Sequence, residues 1–127
     1  MSDEHDPLAW VAKAESDLVM ARSALHRKEP ITYGVCFHAQ QCAEKYLKAI
    51  LVARAKPFPK THDLVQLNEL CAKAGVLVEI DKKRLNTLSD LAVRVRYPGV
   101  EPSLADAREA LETVQAVRKF ARKFLNV

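Results

Sequence analysis

Apolar residues return along the chain at alternating steps of three and four, the spacing that gathers side chains onto one face of an α-helix. In the first segment Val11, Ala14, Leu18, Ala21 and Leu25 make such a seam. Asp6 offers a side-chain oxygen as N-cap and Pro7 suits the first helical position, so a helix is expected from there to about Lys28, with Pro30 at the turn. A second helix should run from about Thr32 to Arg54: Gly34 lies near its start, no proline interrupts it, and Pro57 and Pro59 close it off. Thr61 or Asp63 can cap a third, carrying Leu64, Leu67, Leu70 and Cys71 and stopping at Gly75. It is expected to be short and peripheral.

Asp81 can cap a fourth helix bearing Leu85, Leu88, Leu91 and Ala92. That helix should finish before Arg96-Tyr97-Pro98-Gly99, because Pro98 disfavours helical geometry at Tyr97. Ser103 and Asp106 form a capping-box-like pair for the last helix, whose buried side would hold Ala107, Ala110, Leu111, Val114, Val117, Ala121 and Phe124. The expected fold is all-α, an up-and-down helical bundle of four main helices plus a shorter one, in one domain spanning residues 1–127.

Composition agrees with this reading. The chain has 127 residues and only three glycines, and a chain of that length buries about two-thirds of its unfolded surface around one core. No uninterrupted apolar stretch approaches the roughly 20 residues that span a bilayer. The acidic start Asp3-Glu4-His5-Asp6 is unlike a secretion signal, so a cytoplasmic location is expected. Cys36, Cys42 and Cys71 have no metal-ligand spacing and are expected as reduced, partly buried thiols; no metal or other cofactor is anticipated. The net charge of +4 is modest, so attraction to nucleic acid would need a local patch.

The second helix holds the most informative pattern. At ~100° per residue, Phe37, Gln40, Gln41 and Lys48 all fall within about 60° of Glu44. Ala39, Cys42, Ala43, Tyr46, Ala49, Ile50 and Ala53 lie broadly opposite, where small side chains let a neighbouring helix approach closely. The polar stripe reads either as a solvated surface with a Glu44–Lys48 ion pair worth ~0.3–0.5 kcal/mol, or as a surface for a second subunit or a ligand.

Phe37 through Leu51, then Lys60-Thr61-His62-Asp63-Leu64, then Arg96-Tyr97-Pro98-Gly99 and a closing amphipathic helix together resemble the HEPN domain family over nearly the whole chain. The resemblance implies a helical bundle that commonly dimerises and associates with nucleotides or RNA. It also implies frequent pairing with a small nucleotidyltransferase in a toxin–antitoxin or related module. Many members look like metal-independent ribonucleases that use an Arg, four to six intervening residues and a His. From Arg94 that histidine would fall at Gly99, Val100 or Glu101, and from Arg96 at Glu101, Pro102 or Ser103. Arginine alone stabilises phosphate charge but cannot act as a base, so the ribonuclease constellation is incomplete.

His62 is the substitute histidine to consider, which leaves Arg94, Arg96 and His62 as candidates for an atypical site. A binding role uses more of the residues: Arg94, Arg96 and Tyr97 could present two forked cations and an aromatic face to a phosphate and a base. The plainer alternative pairs Arg96 with Glu44 or another acid and packs Tyr97 over the bundle end. Arg118, Lys119, Arg122 and Lys123 read as cations compensating the last helix's dipole on a wet face. The leading expectation is therefore a homodimeric HEPN-type partner of a nucleotidyltransferase-like protein, with Phe37, Gln40, Gln41, Glu44, Lys48, Arg96 and Tyr97 facing a ligand or partner. A ribonuclease toxin and a purely structural interaction module are the alternatives.

Overall fold

The structure, a computed structural model, describes residues 3–127, and it is all-helical with no strand among them. A single 3-10 turn, Asp3–His5, precedes α1 (Pro7–His26), α2 (Thr32–Ala53), α3 (Leu64–Lys73), α4 (Lys82–Arg94) and α5 (Leu104–Leu125). Their boundaries follow local chemistry. Asp6 accepts from the Leu8 amide, Asp63 from Val65 and Gln66, and Asp81 from Lys83. Ser103 and Asp106 close a reciprocal capping box on α5. The first helix stops at His26, two residues before the expected Lys28.

The bundle is organised around α2, which packs on α1 and α5 along most of its length and on α3 and α4 over shorter stretches. Cys36, Ala39, Cys42, Ala43, Tyr46, Leu47, Ala49, Ile50 and Leu51 are fully enclosed. Burying an apolar side chain of Leu or Ile size contributes about 1.5–3 kcal/mol, so α2 supplies a large share of the core. Ala53, expected on the core face, is exposed at the helix end. The third helix is short, but it is not peripheral: Leu64, Leu67 and Cys71 are fully buried against α2 and α4, and Ser89 of α4 accepts the free Leu64 amide at 2.9 Å. Gly75 follows α3 with φ +83°, a left-handed conformation that glycine adopts without a Cβ penalty.

The face of α5 expected to be wet is only partly so. Arg118 clamps Glu15 of α1 with two bonds of 2.8 Å, and Arg122 lies 3.8 Å from the same carboxylate. The Tyr46 hydroxyl of α2 also donates to Glu15, at 2.6 Å. One carboxylate therefore ties three helices together. The Arg118 hydrogen bond holds the Glu15 carboxyl down to about 2, against the opposing push of partial burial.

All three cysteines are free and buried, and burial pushes each thiol up to about 12. A thiol-specific reagent at neutral pH is thus expected to label none of them in the native protein and all three after unfolding in urea. Fast labelling of the folded protein would contradict the core described. Glu15 also makes a pH prediction. Its carboxyl is held below the usual value near 4.5, so its contribution is fully present above that pH and is lost as the pH falls towards 2. Arg118→Ala should cost about 1–2 kcal/mol near neutral pH. The gap from wild type should close in acid, as measured by urea unfolding at successive pH values.

Candidate ligand-binding site

The polar stripe of α2 is mostly enclosed. Gln40, Glu44 and Lys48 are all buried, while Phe37 and Gln41 are half-buried. The solvated-surface reading of this stripe is thereby corrected: the loop of residues 54–63 and the start of α1 cover it. Glu44 is the hub. It accepts from Lys48 Nζ at 2.9 Å, from Gln40 Nε2 at 3.3 Å and from His62 Nδ1 at 2.8 Å.

Burial alone would raise the Glu44 pKa. Hydrogen bonds from Lys48 and His62, the Lys48 charge and Gln40 outweigh it and hold the carboxyl below its ordinary value. An ionised carboxylate only accepts, so Nδ1 of His62 carries its proton and the other ring nitrogen faces outward on a side chain 68% exposed.

The Thr61-His62-Asp63 segment is built for this contact. Thr61 Oγ1 accepts the Asp63 amide at 3.1 Å and Asp63 caps α3, while the His62 carbonyl accepts from Gln40 Nε2 at 2.8 Å. Gln41 completes the chain by donating to Gln40 Oε1 at 2.8 Å. Both His62 groups, side chain and carbonyl, are therefore committed to α2.

At the N-terminal end of the stripe lies an open groove of about 530 Å³ that includes Tyr33, Phe37, His38, Arg96, Tyr97 and Glu101. The Arg96 guanidinium sits 5.4 Å from the Phe37 ring centroid, a cation–π contact, rather than on Glu44. Tyr97 is 64% exposed at the rim, and Gly99, with φ +86°, lets the Arg96-Tyr97-Pro98-Gly99 turn close. Arg94 points elsewhere, paired with Asp90 at 3.1 Å on the outside of α4. Neither Arg94 nor His62 lines the Arg96 groove, so the three residues of the atypical ribonuclease site do not share it.

The histidine that does line it is His38, which nothing in its sequence neighbourhood singles out. Its Nδ1 lies 3.0 Å from Oδ1 of the buried Asp17, whose other oxygen accepts from Lys45. Asp17 lies on α1, 21 residues away in sequence. The one available signal is an acid within the apolar seam, next to Leu18.

At the C-terminal end of the stripe, Lys48 opens instead onto a different cleft, beside Trp10 and Phe58. Of the seven residues expected to face one ligand, Phe37, Arg96 and Tyr97 line one cleft and Lys48 the other, while Gln40, Gln41 and Glu44 line neither. Among the described residues no cluster of His, Cys, Asp and Glu could hold a metal ion, and no helix is long and apolar enough to cross a membrane.

Removing a buried charge partner should cost far more than removing an exposed one. Glu44→Ala leaves Lys48 without its carboxylate and is expected to destabilise the protein by about 3 kcal/mol. Asp90→Ala breaks only the exposed pair with Arg94 and should change stability by less than about 0.5 kcal/mol. Urea denaturation of both variants measures the difference, and equal effects would count against a structural role for Glu44.

Comparison with known proteins agrees with this architecture. The family model described as HEPN domain matches residues 8–124. The fold is similar to that in the crystal structure of TT1696 from Thermus thermophilus, with a TM-score of 0.71 and 24% identity, covering 97% of this chain and 98% of that one. Among curated proteins nothing matches the sequence. From Leu8 in the first turn of α1 to Phe124 near the end of α5, this chain belongs to the HEPN domain family.

Proposed function

We propose that this HEPN protein is a binding component: it engages nucleotide or RNA phosphate at the Arg96 groove. It acts as a homodimer with a nucleotidyltransferase-like protein, in a toxin–antitoxin or related two-component module. The observation that carries the ligand half is the placement of Arg96. Its guanidinium lies over the Phe37 ring with no carboxylate among the described residues claiming it, beside the exposed ring of Tyr97, at the mouth of an open groove. A forked cation and an aromatic face side by side suit a phosphate and its base. The partner half rests on the family, whose members frequently pair with such enzymes.

One observation favours the ribonuclease alternative. His38 lines the Arg96 groove with Nδ1 held by Asp17, and it supplies there the proton acceptor that Arg94 and Arg96 lack in sequence. The purely structural alternative would leave Arg96 only its cation–π contact with Phe37, for which an exposed position at an open groove is not needed.

Arg96→Ala should weaken binding of a short single-stranded RNA about tenfold, equivalent to about 1.4 kcal/mol. It should also reduce the slope of log affinity against log salt by about 0.7, one phosphate contact's worth. Unchanged affinity would overturn the proposed site. Cleavage of the same RNA in EDTA, abolished by Arg96→Ala and by His38→Ala, would replace the binding role with the catalytic one. Co-expression with an adjacent nucleotidyltransferase gene, if there is one, followed by co-purification, tests the partner.

A further inference from the structure

A second opening is larger than the Arg96 groove. It is a cleft of about 700 Å³ between the start of α1, the end of α2 and the stiff segment Pro57-Phe58-Pro59. Trp10 and Phe58 form its aromatic wall, edge to face, with centroids 5.9 Å apart. Trp10 is fixed there because its indole N–H donates to the Glu4 carbonyl at 2.9 Å. Prolines on either side of Phe58 restrict the backbone that carries it. The cleft is therefore largely shaped before any ligand arrives.

Lys48 lies at its floor with a side chain only 9% exposed. An ammonium has three protons to donate. One goes to Glu44 at 2.9 Å, and the nitrogen otherwise looks onto the rings of Trp10 and Phe58, 5.8 and 5.5 Å from their centroids. The rings stabilise the charge but are weak acceptors beside an anionic oxygen. Lys56 and Lys60 stand exposed at the rim, and neither has an ion-pair partner among the described residues. His5 and Glu4 also line the cleft, 3.7 Å apart and exposed, so the lining carries three lysines against one carboxylate.

A rigid aromatic wall, a buried ammonium with donors to spare and two uncommitted cations at the mouth select one ligand chemistry. We infer that this cleft binds a small aromatic anion, a planar ring carrying a phosphate or a carboxylate. The ring lies against Trp10 and Phe58, and the anionic group is held by Lys56 and Lys60 within reach of Lys48. A volume of this order accommodates such a molecule. The site shares no lining residue with the Arg96 groove and stands whether or not that groove binds RNA.

Trp10 is the sole tryptophan of the chain, so its fluorescence reports directly on occupancy. The protein is titrated separately with AMP, salicylate, adenosine and inorganic phosphate, with correction for ligand absorption. Saturable quenching by AMP identifies a nucleotide-type ligand, and saturation by salicylate alone an aromatic carboxylate; either supports the site. Lys56→Glu/Lys60→Glu, two exposed positions whose variant is checked for helix content by circular dichroism, should weaken that binding at least tenfold. Arg96→Ala should leave it unchanged.

The inference is overturned if neither AMP nor salicylate saturates, or if the double variant binds as wild type. It is overturned equally if adenosine matches AMP where AMP binds, since the anion would then count for nothing, if inorganic phosphate matches whichever aromatic anion binds, since the rings would then count for nothing, or if Arg96→Ala abolishes the signal.

Discussion

A carboxylate on a helix that is covered from nearly every side cannot stay ionised without donors, and Glu44 occupies such a place on α2. Leaving the charge unpaired there would cost several kcal/mol, a large fraction of the stability of a domain this size. Gln40 and Lys48 reach it from neighbouring turns of the same helix, but they do not suffice to enclose it. The third donor, His62, comes from the segment between α2 and α3, and in coming it brings the Gln40 contact to its own carbonyl. The path of residues 54–63 is thereby tied to one carboxylate. Lys48, now buried by the same arrangement, rests its charge on Trp10 and Phe58, which draws in the first turns of α1.

The opposite flank of α2 solves the same problem with different parts. Asp17 is buried on α1 and is satisfied by His38 and Lys45, both projecting from α2. Glu15, two residues earlier on the same helix, is satisfied by Arg118 from α5 and by Tyr46 from α2. Each of these acids joins α2 to another element, so the charges set the relative register of elements that the apolar contacts alone would leave free to slide. Their residual valence is what remains for ligands. Glu44, Asp17 and Glu15 are spoken for, whereas Arg96, Lys56 and Lys60 have no carboxylate partner among the described residues, and these three exposed cations border the two clefts.

Helix positions and caps were legible in the sequence because they depend on residues a few places apart. Asp6, Asp63, Asp81 and the Ser103–Asp106 box each act over two or three residues, and all four act as their spacing implies. The polar stripe of α2 was legible as a stripe and illegible as an interior. Periodicity says which residues share a face but not what covers that face. Here the cover comes from Trp10 and from the Phe58 loop, neither of which has a periodic relation to α2. His38 is hidden for the same reason, since its partner sits on another helix, and the Arg118–Glu15 clamp spans 103 residues with nothing local to announce it. That Phe37 and Lys48 line different clefts is a fact of how α1 and the loop cross α2.

The same separation explains why family membership does not by itself hand this chain the family's chemistry. The family match extends over residues 8–124, nearly the whole chain. Phosphodiester cleavage depends on far less, a base and a cation held together at one phosphate. In this chain Arg94 is turned outward onto Asp90 and Arg96 lies on Phe37, while the positions from Gly99 to Ser103, where a histidine would be sought, hold none. Exchanging those few side chains would alter the chemistry while leaving Glu44 and its donors untouched. The bundle constrains where its open grooves lie far more tightly than which side chains line them.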